Sequence, residues 1–207
     1  MKKTNYHKKI IILSALILII ATGILSTVVV GILYEEAFKD KGNRLREIAQ
    51  NRARIIEAIA RAELNQDKEF AFASTMSQVM DAYRDYHGFE ETGELIIAKR
   101  KADQIVFLLR YHHSILELPQ SVSLQSKSAE PMRRALSGQS GIMVGLDYQK
   151  VMVLAAYEPI SILNLGIVAK INVAEIRAPF IRTIKLVLLI TIVVTSIGVI
   201  AFWSFVN

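Results

Sequence analysis

Gly141-Ile-Met-Val-Gly-Leu-Asp-Tyr-Gln-Lys150, then Val151-Met-Val-Leu-Ala-Ala-Tyr157, then Leu165-Gly-Ile-Val-Ala-Lys-Ile171 form the stretch whose reading decides the fold. The apolar runs are short, β-rich and bounded by turn formers, a pattern that predicts strands over Gly141–Val144, Val151–Tyr157 and Leu165–Ile171. Asp147 to Lys150 predicts the first connecting turn, and Ser161 to Asn164 the second. Upstream, Leu95-Ile-Ile-Ala98 and Ile105-Val-Phe-Leu-Leu109 read the same way across the polar turn Lys99 to Asp103. Ser128-Ala-Glu-Pro131-Met-Arg-Arg-Ala-Leu136 predicts a short helix, with Ser128 as its cap, proline in its first turn and Gly138 past its end.

Further upstream the period changes from two to helical. From Tyr34 to about Asp67 there is no proline, and the only glycine is Gly42. Leu45, Ile48, Ile55, Ile59 and Ala62 recur at alternating steps of three and four, with Arg52 in the series. This predicts a long helix over 35–67, packed on the sheet. A heptad-like seam of Leu45, Ile48, Ile55 and Ile59 with one polar break also suits a helix pair, hence a homodimer. A second helix is expected from Phe70 to Tyr86, with Phe70, Met76, Val79, Met80 and Tyr83 on one face and His87-Gly88 as its stop. The expected fold class is α+β: a long N-terminal helix on an antiparallel sheet of about five strands spanning 88–175.

Charge and hydropathy divide the chain of 207 residues. Ile10 to Tyr34 and Leu186 to Asn207 contain no charged residue, over 25 and 22 residues. At ~1.5 Å per residue each reaches about 33 Å or more, enough for a ~30 Å hydrocarbon core. The first run is longer than the ~7–15 apolar residues of a signal peptide, so it predicts an uncleaved anchor. Pro179 predicts a break just before the second run, and Trp203 and Phe205 suit an interface at its end. Lys2, Lys3, Lys8 and Lys9 form a basic tail over 1–9, which predicts both termini on the cytoplasmic side of the cell (inner) membrane. The domain over 35–185 then lies outside the cytoplasm, with 10–34 and 186–207 as spans. That domain carries 21 basic against 19 acidic residues, which gives no electrostatic case for nucleic acid.

The order of motifs resembles a known family. Thr92-Gly93-Glu94 is similar to the sheet entry of Cache domains, the PAS-like extracytoplasmic sensors of bacterial histidine kinases, chemoreceptors and diguanylate cyclases. Pro131-Met-Arg-Arg-Ala-Leu-Ser-Gly138, Gly141, Asp147-Tyr148, Val153-Leu-Ala-Ala156, Gly166-Ile-Val-Ala-Lys170 and Glu175 resemble the second half of such a sensor. The chain departs from that pattern at Lys150, where glycine is common and whose loss implies a different hairpin turn. It departs also at Leu165, where tryptophan is common, and at Asn172, where aspartate is. The resemblance implies a small ligand, a carboxylate or an amine, held between sheet and overlying loops. It also implies a signalling partner in the cytoplasm or membrane, or an output module on a longer chain.

Ligand recognition needs a few convergent polar groups in an apolar pocket. Arg110 and Tyr111 close an apolar strand, where a guanidinium suits a bidentate carboxylate. Asp147 suits an ammonium or a turn cap, and Tyr148 stacking or donation. Tyr157 and Lys170 interrupt apolar runs at strand ends. His112-His113 on a strand would face opposite sides and not chelate one ion, and the chain has no cysteine, so no metal or cofactor is expected. No nucleophile elbow, phosphate loop or dinucleotide fingerprint is present, so no enzyme is expected. The competing expectation is a membrane scaffold whose outer domain binds another protein.

Overall fold

A computed structural model describes residues 2–63, 68–83, 89–111 and 118–206. Among them are four α-helices: α1 (Lys2–Glu63), α2 (Lys68–Tyr83), α3 (Glu130–Leu136) and α4 (Val173–Val206). Six strands, β1 (Glu94–Lys101), β2 (Gln104–Tyr111), β3 (Val122–Ser123), β4 (Gly141–Leu146), β5 (Met152–Ile160) and β6 (Leu165–Asn172), form one antiparallel sheet in the order β3-β2-β1-β6-β5-β4. The sixth strand is β3, two residues paired with Gln104 and Ile105. It is too short to show a period, which is why the sequence predicts five. The chain forms two compact units, one of residues 38–176 and one of 1–37 with 177–207.

Both faces of the sheet are buried. One carries Leu95, Ile97, Leu109, Leu154, Ile167 and Ile171, each no more than 2% exposed. α1 covers it with Leu45, Ala49, Ala53, Ile56 and Ala60, a stripe at steps of four, four, three and four. A Cβ on Gly42 would lie 3.3 Å from Ile142 and 3.9 Å from Leu154, which fixes how closely α1 seats. Burying Leu45 and Ile56 contributes about 2 kcal/mol each. α2 buries Ala71, Thr75, Met76 and Val79 and leaves Phe70 and Met80 exposed. Its buried face keeps Met76 and Val79 of the expected one and has Ala71 and Thr75 in place of Phe70 and Met80. The described part of the helix runs to Tyr83, and residues 84–88, with the expected stop at His87-Gly88, lie outside the described residues.

The expected seam on α1 divides in the same way. Leu45 is 2% exposed inside its own domain and is not available to a second chain, whereas Ile55 is 50% exposed and Ile48 and Ile59 are half-buried. Period alone cannot separate two apolar stripes on one helix when small alanines carry one of them.

α3 packs on the opposite face, with Met132 and Ala135 among Ile96, Ala98, Phe107, Val153 and Val168. It begins at Glu130, one residue after Ala129, which takes the left-handed conformation at φ 57°. Ser128 is therefore not its cap, since its hydroxyl bonds that of Ser126 at 2.7 Å. A Cβ on Gly166 would stand 2.9 Å from both the Ala135 Cβ and the Met132 Sδ, so only glycine lets α3 lie this close to β6.

Two helices, α1 and α4, are long and apolar enough to cross a membrane. Their large apolar side chains point outward, with Ile24 61% and Ile200 66% exposed. In this unit the Tyr34 ring stands edge-on to Phe180, with centroids 5.3 Å apart, and Arg177 Nε donates to the Tyr34 hydroxyl at 3.3 Å. α4 continues through Pro179, where the sequence predicts a break. As the seventh residue of α4, Pro179 has no N–H for the Glu175 carbonyl and crowds it, yet the helix runs on to Val206.

Candidate functional site

Glu94, Asp147 and Lys170, three of the buried polar residues of the domain, gather on the α3 face of the sheet. Register places Glu94 on β1 opposite Lys170 on β6, and Lys170 opposite Ala155 on β5. Arg110 reaches the same face through an irregularity in β2. Ile97 pairs with Leu109 but Ala98 pairs with Phe107, leaving Leu108 as an extra residue. Such a bulge re-aims the side chains beyond it. Without it, Phe107 and Arg110 would point to opposite faces.

Glu94 is the hub. Its Oε1 accepts from Arg110 Nη2 at 2.8 Å, and its Oε2 meets Lys170 Nζ at 2.9 Å and accepts from the Tyr148 hydroxyl at 3.1 Å. Lys170 also donates to Asp147 Oδ2 at 2.5 Å. The other Asp147 oxygen accepts from the backbone N–H groups of Gln149 (2.8 Å) and Val151 (2.9 Å), so one carboxylate shapes the turn and holds the buried ammonium. Tyr148 lies between the cations, with Lys170 Nζ 5.1 Å and the Arg110 guanidinium 5.9 Å from its ring, and Phe107 tilted against it at 5.2 Å. Two carboxylates and two cations neutralise one another. Arg110 Nε is buried with no hydrogen-bond partner.

Burial alone would push the Glu94 carboxyl up, but the Arg110 hydrogen bond and the Lys170 charge outweigh it and hold it below the ordinary value. Arg110 is desolvated, yet Glu94 keeps its guanidinium firmly protonated. Burial and the Glu94 charge push the Tyr148 phenol up, so it stays a donor.

The turn that carries Asp147 and Tyr148 pairs Lys150 N–H with Asp147 C=O at 3.1 Å and places Lys150 at φ 64°. A type I turn followed by a left-handed residue is a common three-to-five-residue hairpin connection. Lys150 thus takes the left-handed conformation that glycine adopts freely.

Of the six predicted ligand residues, Arg110, Asp147, Tyr148 and Lys170 come together, and Tyr111 and Tyr157 do not join them. Tyr111 pairs with Leu95 and faces the α1 side of the sheet, 6% exposed. Tyr157 lies under α3, its hydroxyl against Gly141 and bonded with Arg134. Sequence reasoning misses Glu94 as a site residue. Its signal is a carboxylate opening an apolar strand in step with Ile96 and Ala98, which becomes informative once Lys170 is known to face it.

Above the cluster Ala129, Pro131 and Met132 form an apolar roof, and Ile96, Phe107 and Val168 the walls. The space between them is about 20 Å³, room for roughly one water. A larger open groove runs along α1 beside Arg44, Glu47, Ile48, Asn51 and Ile55. Among the described residues no group of three or more His, Asp or Glu could hold a metal ion, and His112-His113 lie outside them. No family model, curated protein or solved structure matches the chain.

Proposed function

We propose that the chain is a membrane-anchored sensor module. Its folded domain lies outside the cytoplasm, binds a small charged ligand at the Glu94–Arg110–Asp147–Lys170 cluster and passes a conformational signal through α1 and α4. The output is a cytoplasmic or membrane partner, or a module on a longer chain. The observation that carries this reading is that Lys170, at the centre of the cluster, stands three residues before Val173, where β6 gives way to α4. A buried ionic cluster adds little stability that apolar residues would not supply as well. Built from three strands and a turn, it instead gives a charged ligand something to compete for. A carboxylate would displace Glu94 or Asp147 from the cations, and an ammonium would displace Lys170 or Arg110 from the carboxylates. The α3 roof must lift for either, and the two states must differ in affinity for the signal to exist. The module acts as a dimer through the Ile48, Ile55 and Ile59 face of α1.

The test is thermal unfolding of the full chain in lipid nanodiscs against amino acids, organic acids and amines. A ligand at 100 times its dissociation constant adds about 2.7 kcal/mol, a shift of several degrees. The shift should disappear in Arg110→Gln, with circular dichroism showing the variant folded.

A second reading has its own support. The small space of about 20 Å³ over the cluster fits a domain with no small-molecule pocket, a scaffold that binds another protein. A folded chain stabilised by no compound in the panel would favour the scaffold over the sensor.

A further inference from the structure

Gly93 and Glu94 are neighbours in sequence but belong to different machinery. Glu94 enters the charge cluster, while the segment before it, Phe89 to Gly93, reaches two helices. Glu90 pairs with Lys41 and lies 3.7 Å from Arg44, both on α1. Just beyond it, the Glu91 and Thr92 N–H groups donate to the Glu175 carboxylate at 3.0 and 2.9 Å. Glu175 is in the first turn of α4. The Thr92 hydroxyl donates to the same carboxylate and accepts from Asn172 N–H at 2.9 Å, just before α4 begins.

The segment's shape is held from several sides. Phe89 is 8% exposed and anchors its start. Gly93 closes on it so tightly that a Cβ would stand 1.6 Å from the Phe89 carbonyl oxygen. Glu90 sits at φ 61°, a conformation that costs a non-glycine residue ~1–2 kcal/mol and persists where its surroundings hold it.

We infer that Phe89–Gly93 is a strap that couples α1 to the first turn of α4 in series, through Lys41–Glu90 at one end and Thr92–Glu175 at the other. A displacement of either helix loads the other through Glu90, Glu91 and Thr92. Because β1 continues from the strap into Glu94, a change in the charge cluster reaches both helices at once. The consequence for signalling rests on the sensor reading. The coupling does not, and its test uses no ligand, so the two fail separately.

The chain has no cysteine, so nitroxide labels attach only where cysteines are placed. Labels at Asn43 on α1 and Ala174 on α4, both exposed, report the distance across the strap. The full chain is measured in nanodiscs, diluted with unlabelled chain so that only distances within one chain are read. Glu90→Gln and Glu175→Gln should each broaden the distance distribution. The double variant should be no broader than the broader single, because a tie in series is released by one cut. Thr92→Val should match Glu175→Gln, and Thr92→Ser should restore the narrow distribution, which a merely unfolded variant would not do. Additive broadening, broadening from one end only, or no change would each overturn the strap.

Discussion

Lys170 Nζ lies 2.5 Å from Asp147 Oδ2, and both side chains are 3% exposed. The pair ties the β4–β5 turn, which supplies the carboxylate, to β6, which supplies the ammonium. With Glu94 on the other side, Lys170 is held between two carboxylates.

Removing that ammonium leaves buried negative charge with one partner too few. Lys170→Met should cost about 3–5 kcal/mol, seen in thermal unfolding as a fall in midpoint on the order of 10 °C. Arg61→Gln, which breaks an exposed pair with Glu57, should cost under about 0.5 kcal/mol. Equal losses for the two would show that the cluster is not desolvated.

Stability should depend on pH in opposite senses at two carboxylates. Glu94 is held below its ordinary value of 4.5, so its contribution is complete above 4.5 and lost as pH falls through the lowered value. The gap in unfolding midpoint between the parent and Glu94→Gln should be constant near neutrality and close on acidification below that point. Glu158 is pushed up by burial against the Gln50 hydrogen bond and the charges of Arg54 and Arg46. A raised carboxyl costs stability above its folded value, so Glu158→Gln should stabilise at neutral pH, and the gain should fade as pH falls toward 4.5.

Gly166→Ala puts a methyl against Ala135 and Met132 at 2.9 Å. The expected cost is about 1–3 kcal/mol, typical of overpacking. Hydrogen exchange should quicken in α3 and leave β1 protected. Uniform loss of protection would mean that α3 is not the element displaced.

Lys150 holds a left-handed conformation at φ 64° without glycine's freedom. Lys150→Gly should raise stability by roughly 0.5–1 kcal/mol, the left-handed cost relieved less glycine's greater unfolded entropy. A fall in midpoint would show that the lysine side chain contributes more than its backbone costs.

Disulfide crosslinking along α1 tests the dimer face. Cysteines at Ile48, Ile55 and Ile59 should crosslink between chains, and those at Leu45, Ala49 and Ala53, turned to their own sheet, should not. Crosslinking without this division would end the assignment of the face.

The five longer strands and the two long helices α1 and α4 are readable from local pattern, because alternation, helical period and uncharged length are properties of neighbouring residues. β3 is not, since two residues carry no period. The start of α3 is displaced from its expected place because Ser128 and Ala129 compete as its lead, and Ser126 decides between them by taking the Ser128 hydroxyl. Arg110, Tyr111, Tyr157 and Lys170 are legible as polar interruptions of apolar strands, and Asp147 and Tyr148 as part of a turn.

Which of those interruptions meet is a matter of register. One extra residue at Leu108 turns Arg110 toward Glu94 and leaves Tyr111 on the far face. Similarly, Leu45 and Ile48 look alike in sequence until the sheet's approach at Gly42 buries one and leaves the other half-exposed. Local sequence dictates what each segment becomes, since propensity and period act over a few residues. Partnership between Glu94, Asp147 and Lys170 exists only after strands distant in the chain have paired, because a charge finds its counter-charge through space and not along the backbone.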